Sequence, residues 1–231
     1  MSTTPLGFDT RLIHAGEPRP RIHGAVAMPI FQSVTFEHTG AATYHGVQYI
    51  RLNNTPNHRA LHEKLAALEN GEAALVAASG MAAISSTLLT LLAAGDHLLA
   101  QDCLYGGTQG LLSRELPAFG ISVDSIDAND PASWERRLRP TTRAIYVEAM
   151  TNPLLEVADL RAVVTFARAH GLVSVIDATF ASPVNLRPLE LGFDLVVHSA
   201  TKYLNGHSDV INGVVVTRSK ALAEKLGFMQ N

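Results

Sequence analysis

Three short stretches of this sequence carry side chains suited to carbonyl chemistry. In "HSATKYLNGHSDV" (198–210), Lys202 stands just beyond an apolar run, with Ser199 and Thr201 immediately before it. A lysine held where its charge is partly desolvated becomes a usable nucleophile toward an aldehyde and can form a Schiff base. "VSVIDA" (173–178) places Asp177 at the end of a second apolar run, where a carboxylate can hold a proton on a ring nitrogen. "SGM" (79–81) stands between a strand-like and a helix-like segment. Its backbone N–H groups and the helix dipole suit a phosphate, and the Ser199 and Thr201 hydroxyls can add to that site.

Aldehyde, ring nitrogen and phosphate together describe pyridoxal 5'-phosphate, whose ring nitrogen is typically paired with an Asp. Taken singly, each feature has a plainer explanation: a surface lysine, an Asp capping a turn, a helix start. Their shared position at strand ends is what raises the chemical reading above the plain one.

The elements that must position them alternate. Leu61, Leu65 and Leu68 recur at helical spacing and stop at "ENG". Strands are predicted over 72–79, 97–101, 122–127, 142–149, 173–178, 193–200 and 213–217. Helices are predicted over 80–95, from 106 to about Pro117, and over 160–171. Such alternation implies an α/β fold with a mostly parallel sheet covered on both faces, where ligands sit beyond the carboxyl ends of the strands. The polar residues at those ends are Ser79, 102–105, 148–152, 177–179 and 198–202. Residues 1–60, rich in Pro, His, Asn and Gly, read as an extended arm with no core of its own, and 61–231 as the main domain.

The bulk composition excludes several classes. The chain has 231 residues, 47% hydrophobic and 17% charged, with net charge −3, which suits a packed core. No basic run invites nucleic acid or an anionic membrane. Cys103 is the only cysteine, so no intrachain disulfide forms and a reducing cytoplasm fits. The N-terminus lacks the apolar core of a signal peptide, and the longest apolar stretch, 82–95, is too short to span a bilayer. His58 and His62 lie four apart without an HExxH pattern and read as a solvated helix face, so no metal is expected. No Gly-x-Ser-x-Gly elbow, P-loop or Gly-x-Gly-x-x-Gly is present.

"HSATKYLNGHSDV" resembles the lysine motif of the Cys/Met-metabolism family of pyridoxal-phosphate enzymes, which includes cystathionine synthases and lyases, methionine gamma-lyase and the homoserine sulfhydrylases. The resemblance extends to "GAVAMPIFQSVTF" (24–36), "YIR" (49–51), "ALVAASGMAAI", "YGGT" (105–108), "TNP" (151–153) and "IDATFASP" (176–183). It implies an aspartate-aminotransferase-like (fold type I) large domain. Lys202 would bond to the cofactor aldehyde and later move protons at the substrate's alpha and beta carbons. Asp177 would keep the ring nitrogen protonated and Tyr105 would stack on the ring. Gly80 and Met81, with Ser199 and Thr201, would bind the phosphate, while Asn152 would touch the phenolic oxygen and Thr179 would belong to the same cofactor site. Tyr49 and Arg51 would reach the phosphate of a neighbouring subunit, which implies a dimer or tetramer.

The implied activity is elimination or replacement at a C–S bond of a sulfur-containing amino acid. "TKYLNGHSDV" is closer to the cystathionine and methionine lyase or synthase branch than to the sulfhydrylases. Three departures stand out: Ala178 where the family has Asn, "NNTPN" after Arg51, and Asn212 where a small residue is common. The chain also stops at "AEKLGFMQN", where the family continues into a smaller C-terminal domain that grips the substrate carboxylate. It therefore reads as lacking that domain, and a catalytically silent cofactor-binding or dimerisation protein is the alternative.

Overall fold

The structure, a computed structural model, describes residues 6–43 and 46–230; residues 1–5 and 44–45 of the expected arm, and residue 231, lie outside the described part. One seven-stranded sheet runs through it: β1 (Ala73–Ala77), β2 (His97–Gln101), β3 (Ser122–Ile126), β4 (Thr142–Glu148), β5 (Val173–Asp177), β6 (Leu195–His198) and β7 (Gly213–Thr217). Their order across the sheet is β1-β7-β6-β5-β4-β2-β3.

The central strands read as unbroken apolar runs because both faces are covered. Every residue of β2, β6 and β7 is buried. Successive side chains go to opposite faces, so Ile176 and Val196 join a core with Leu65, Trp134 and Phe166. Val175 and Val197 join another with Ile84, Leu88, Leu116 and Leu226.

Four strand pairings are parallel, β2–β3, β2–β4, β4–β5 and β5–β6, whereas β7 runs antiparallel to both of its neighbours, β1 and β6. A parallel return needs a crossover, usually a helix. The 199–212 link forms only turns and bends, so β7 comes straight back. The reversal puts the beginning of β7, not its end, at the ligand-facing edge, opposite Ala77.

The helices pack on the two faces. They are α1 (Phe8–His14), α2 (Pro56–Glu69), α3 (Gly80–Leu91), α4 (Gly106–Gly110), α5 (Leu116–Ala118), α6 (Pro131–Arg137), α7 (Leu160–Ala169), α8 (Ser182–Asn185), α9 (Pro188–Leu191) and α10 (Lys220–Gln230). Between α4 and α5, residues Leu111–Glu115 form a π-helical stretch. Pro117 offers no N–H and would crowd the carbonyl of Ser113, and the wider turn before it accommodates both effects.

The N-terminal segment corrects the expectation of an arm that is extended throughout. Residues of α1 are helical and lie on α2: Arg11 Nη1 donates to Ala67 O at 2.8 Å, and Lys64 Nζ to Leu12 O and Ile13 O at 2.9 and 2.7 Å. The α2 helix also begins at Pro56, ahead of the Leu61 start read from periodicity. Proline is preorganised for a first helical turn, and Thr55 before it is buried, with its hydroxyl 2.7 Å from His58 Nδ1. From 15 to 55 the described chain has only short 3-10 turns and an isolated bridge between Thr35 and Tyr49, and Val26 and Ile30 are exposed.

Candidate active site

The strand ends frame a cavity of about 290 Å³, at the small end of ligand pockets, roughly 300–1,000 Å³. Its walls bring together Gly80, Met81, Tyr105, Asn152, Asp177, Thr179, Ser199, Thr201 and Lys202.

One wall is the start of α3. Ser79 Oγ caps the helix by accepting the N–H of Ala82 at 3.0 Å, and Ser79 O accepts that of Ala83. Gly80 and Met81 occupy the first turn, where N–H groups have no intrahelical acceptor. Glycine is required at 80, because a β-carbon there would lie 2.6 Å from Ser199 Cβ. Gly213 is required for the same reason at the start of β7, where a β-carbon would lie 2.0 Å from Ser79 O. Two close approaches thus press the helix start against β7 and Ser199, leaving a concave, positively polarised nest that suits an anion.

A second wall is the end of β5. Asp177 Oδ1 accepts the N–H of Thr179 at 2.8 Å, while Thr179 Oγ1 accepts the N–H of Ser199 at 2.8 Å. A single threonine therefore ties the ends of β5 and β6 together. Asp177 is partly exposed, and it is a cavity-wall residue enclosed by protein atoms. Burial holds its carboxyl above the ordinary range, opposed by hydrogen bonding from Thr179, by the field of His198 and by the nearby Tyr146 hydroxyl. A positively charged N–H placed in the cavity would offset that desolvation. The Tyr146 hydroxyl is fully buried and senses both Thr108 and Asp177, yet makes no hydrogen bond of ordinary geometry; burial raises it well above the usual phenol range. Ala178, where the family pattern has Asn, is wholly buried in the apolar core, a poor place for an amide.

Lys202 departs from expectation. The buried strand β6 ends at His198, and Lys202 lies in the turn beyond it, exposed at the cavity wall rather than desolvated. The polar 199–212 link leaves the sheet here and takes the lysine with it. Its turn is fixed by Lys202 N–H to Ser199 O at 3.1 Å and Gly206 N–H to Lys202 O at 2.8 Å. The Thr201 hydroxyl donates to Asn212 O at 3.1 Å and accepts the Asn212 N–H at 3.0 Å. As placed, its proton is committed to Asn212 O, and donation to a phosphate would require it to rotate.

Tyr105 precedes α4 and is 49% exposed. Its ring passes over Gly107, where a β-carbon would meet Tyr105 Cε1 at 2.6 Å and Met81 Sδ at 3.0 Å. Tyr49 and Arg51 are not in this cavity. The Arg51 guanidinium lies 5.5 Å from the Tyr49 ring centroid, and Arg51 lines an adjacent cavity of about 640 Å³ with Ala82 and Ser86; Ile211 borders both.

Glu148 was not among the expected site residues, although its strand end was. It lines the cavity, is 4% exposed, stands beside Asp177 in the β4–β5 register, and accepts the Tyr105 N–H at 2.8 Å. Its carboxyl is pushed up to about 7, mainly by burial, with Asp177 adding and the N–H groups of Tyr105 and Asn152 opposing. An acidic residue closing the apolar run "AIYVE" was the available signal. Met150, Phe180 and Ile84 supply apolar lining for which no role was expected, although Phe180 and Ile84 fall within the family-like motifs. Among the described residues no group of three or more His, Cys, Asp or Glu side chains could hold a metal, and no helix is long and apolar enough to cross a membrane.

A nest for an anion, an enclosed carboxylate that a cationic N–H would relieve, and an accessible amine fit pyridoxal phosphate by their donor chemistry. The fold is that of the aspartate-aminotransferase-like (fold type I) pyridoxal-phosphate proteins. It matches a crystal structure of cystathionine gamma-lyase from Lactobacillus plantarum complexed with L-serine at TM-score 0.91 and 44% identity, over 97% of this chain and 58% of that one. The chain belongs to the Cys/Met metabolism PLP-dependent enzyme family, which matches residues 9–231. It is 47% identical over 225 residues to a probable cystathionine gamma-synthase of Herpetosiphon aurantiacus, covering 97% of this chain and 70% of that relative. It is 42% identical to a cystathionine gamma-lyase of Bacillus subtilis, covering 96% of this chain but 58% of the relative. The chain thus spans little more than half the length of most of these proteins.

Proposed function

We propose that this chain binds pyridoxal phosphate in the cavity and serves an enzyme that makes or breaks a C–S bond in a sulfur amino acid of the cystathionine or methionine type. The observation that carries the proposal is the meeting, on this fold, of the α3 nest, the Asp177 carboxylate and the Lys202 amine around one cavity of cofactor size. When bound, the cofactor supplies a ring that takes up the electron pair left at the substrate's alpha carbon.

The residues divide the remaining work. Gly80 and Met81 N–H groups, with Ser199, hold the phosphate. Asp177 keeps a proton on the ring nitrogen, and Thr179 aims the carboxylate. Tyr105 would stack on the ring, and Asn152 would meet the phenolic oxygen. Lys202 Nζ would hold the cofactor through its aldehyde and, once the substrate's amino group has displaced it as a free amine, could move protons at the substrate's alpha and beta carbons. Tyr49 and Arg51, outside their own cavity, complete the phosphate site of a second copy, so the active unit is a homo-oligomer. A cytoplasmic setting suits a chain with one cysteine.

Borohydride reduction of protein loaded with pyridoxal phosphate, followed by digestion and mass spectrometry, tests the central assignment. The pyridoxyl mass should fall on the peptide carrying Lys202 and vanish in Lys202→Ala. Label on Lys64 or Lys220 instead would overturn it.

A further inference from the structure

We propose that Glu148 is a positioning residue: its carboxylate holds the backbone of Tyr105 and thereby fixes the ring that borders the cofactor cavity. Apart from this contact, the Tyr105 backbone is held by one hydrogen bond, its carbonyl accepting the Gln109 N–H at 2.9 Å at the start of α4. It is the capping residue before α4, and its side chain is half exposed. Its side chain makes no capping hydrogen bond, and its ring has room over residue 107 only because that residue is glycine, where a β-carbon would lie 2.6 Å from Tyr105 Cε1. The anchored atom is the N–H, 2.8 Å from Glu148 Oε1.

Glu148 is well placed to serve as an anchor. It closes β4, its N–H donates to Gln101 Oε1 at 2.9 Å, and its Cα pairs with Asp177 in the β4–β5 register. The ends of β2, β4 and β5 therefore fix the carboxylate before it reaches the loop. A carboxyl buried to this degree is costly unless it makes strong hydrogen bonds, and an N–H to a carboxylate oxygen is among the strong ones.

The link to the cofactor rests on the proposed function, whereas the tether itself does not, so two readouts are needed. The first is hydrogen exchange at the Tyr105 amide without cofactor; the second is pyridoxal phosphate affinity from visible absorption. In Glu148→Leu the amide should exchange at least about tenfold faster, and affinity should fall about tenfold, the worth of one buried hydrogen bond. Glu148→Gln should restore both, because its amide oxygen still accepts. Adding Glu148→Leu to Tyr105→Ala should cost no affinity beyond Tyr105→Ala alone. Should the leucine variant not fold, Glu148→Asp takes its place, since the shorter side chain withdraws the oxygen. Unchanged exchange at Tyr105, or losses that multiply in the double variant, would overturn the proposal. If the unaltered chain binds no pyridoxal phosphate, the proposed function fails while amide exchange still decides the tether.

Discussion

Gly80 and Ser199 pack closely in the cavity wall: a β-carbon on residue 80 would lie 2.6 Å from Ser199 Cβ and 3.0 Å from Ser199 Cα. Backbone cannot yield as a long side chain can, so Gly80→Ala must push α3 and the 199 turn apart. Overpacking of this kind costs roughly 1–3 kcal/mol. The expected result is pyridoxal phosphate affinity lowered about tenfold or more, with far-UV circular dichroism unchanged. Normal affinity in Gly80→Ala would show that the contact does not shape the nest.

Asp177→Asn should leave the cofactor bound but slow proton removal at the substrate's alpha carbon, because an amide cannot keep the ring nitrogen protonated. Losing one partner of an enclosed ion pair is worth roughly 3–5 kcal/mol, or a rate loss on the order of a hundredfold or more. Alpha-proton exchange of an amino acid in deuterated water measures this step without requiring turnover. Near-normal exchange would remove Asp177 from the role.

Glu148 and His62 should bend stability against pH in opposite directions. Burial raises Glu148 from 4.5 to about 7, so the folded chain holds that proton more tightly than the unfolded one. Its contribution is fully present below 4.5 and is lost as pH rises through 7, a change of roughly 3 kcal/mol at most. Burial lowers His62 from 6.5 to about 4, with His58 adding to the effect; its Nε2 accepts the Val76 N–H at 3.1 Å, which requires a neutral ring. That contribution is full above 6.5 and is lost as pH falls through 4. Without cofactor, Glu148→Gln should therefore melt higher than the unaltered chain at pH 8, with the gap closing toward pH 5. Parallel melting curves across that range would exclude Glu148 as the titrating group.

Mixing an Arg51→Ala chain with a Lys202→Ala chain tests whether the arm serves a second copy. Each lacks what the other supplies, so random assortment into dimers should restore about a quarter of the sites. Borohydride labelling at saturating cofactor counts sites with an intact lysine, and phosphate-dependent affinity reports whether an intact arginine faces them. Two independent populations, each as defective as its parent, would place Arg51 in its own subunit's site or outside any site.

The sheet and the cavity were legible because their residues are punctuated. Apolar runs ending in Asp177, Asn152 or Ser199 mark strand ends, and "SGM" marks a capped helix start. The path of the chain after Lys202 was less so. Polar residues 199–212 carry no period, so nothing in them said that the lysine leaves the sheet or that β7 reverses. Glu148 looked like one more strand-end carboxylate, and its importance comes from Tyr105, 43 positions earlier, a pairing that no local pattern encodes. Helix α1 lay hidden in a segment dominated by Pro, His and Gly, where its seven residues are too few for periodicity to show.

The reversal of β7 predicts that the anion nest forms late in folding. Its floor is Ser79 against Gly213, and its side is Gly80 against Ser199, so it exists only once β1 has found β7 from the far end of the chain. Such long-range pairings are slow to close. A cofactor that binds only the completed nest stabilises the native state by mass action and acts as a check on the finished sheet. In refolding, cofactor absorbance should therefore appear after the far-UV signal is complete, and a chain with β7 unpaired should refold its helices yet stay colourless.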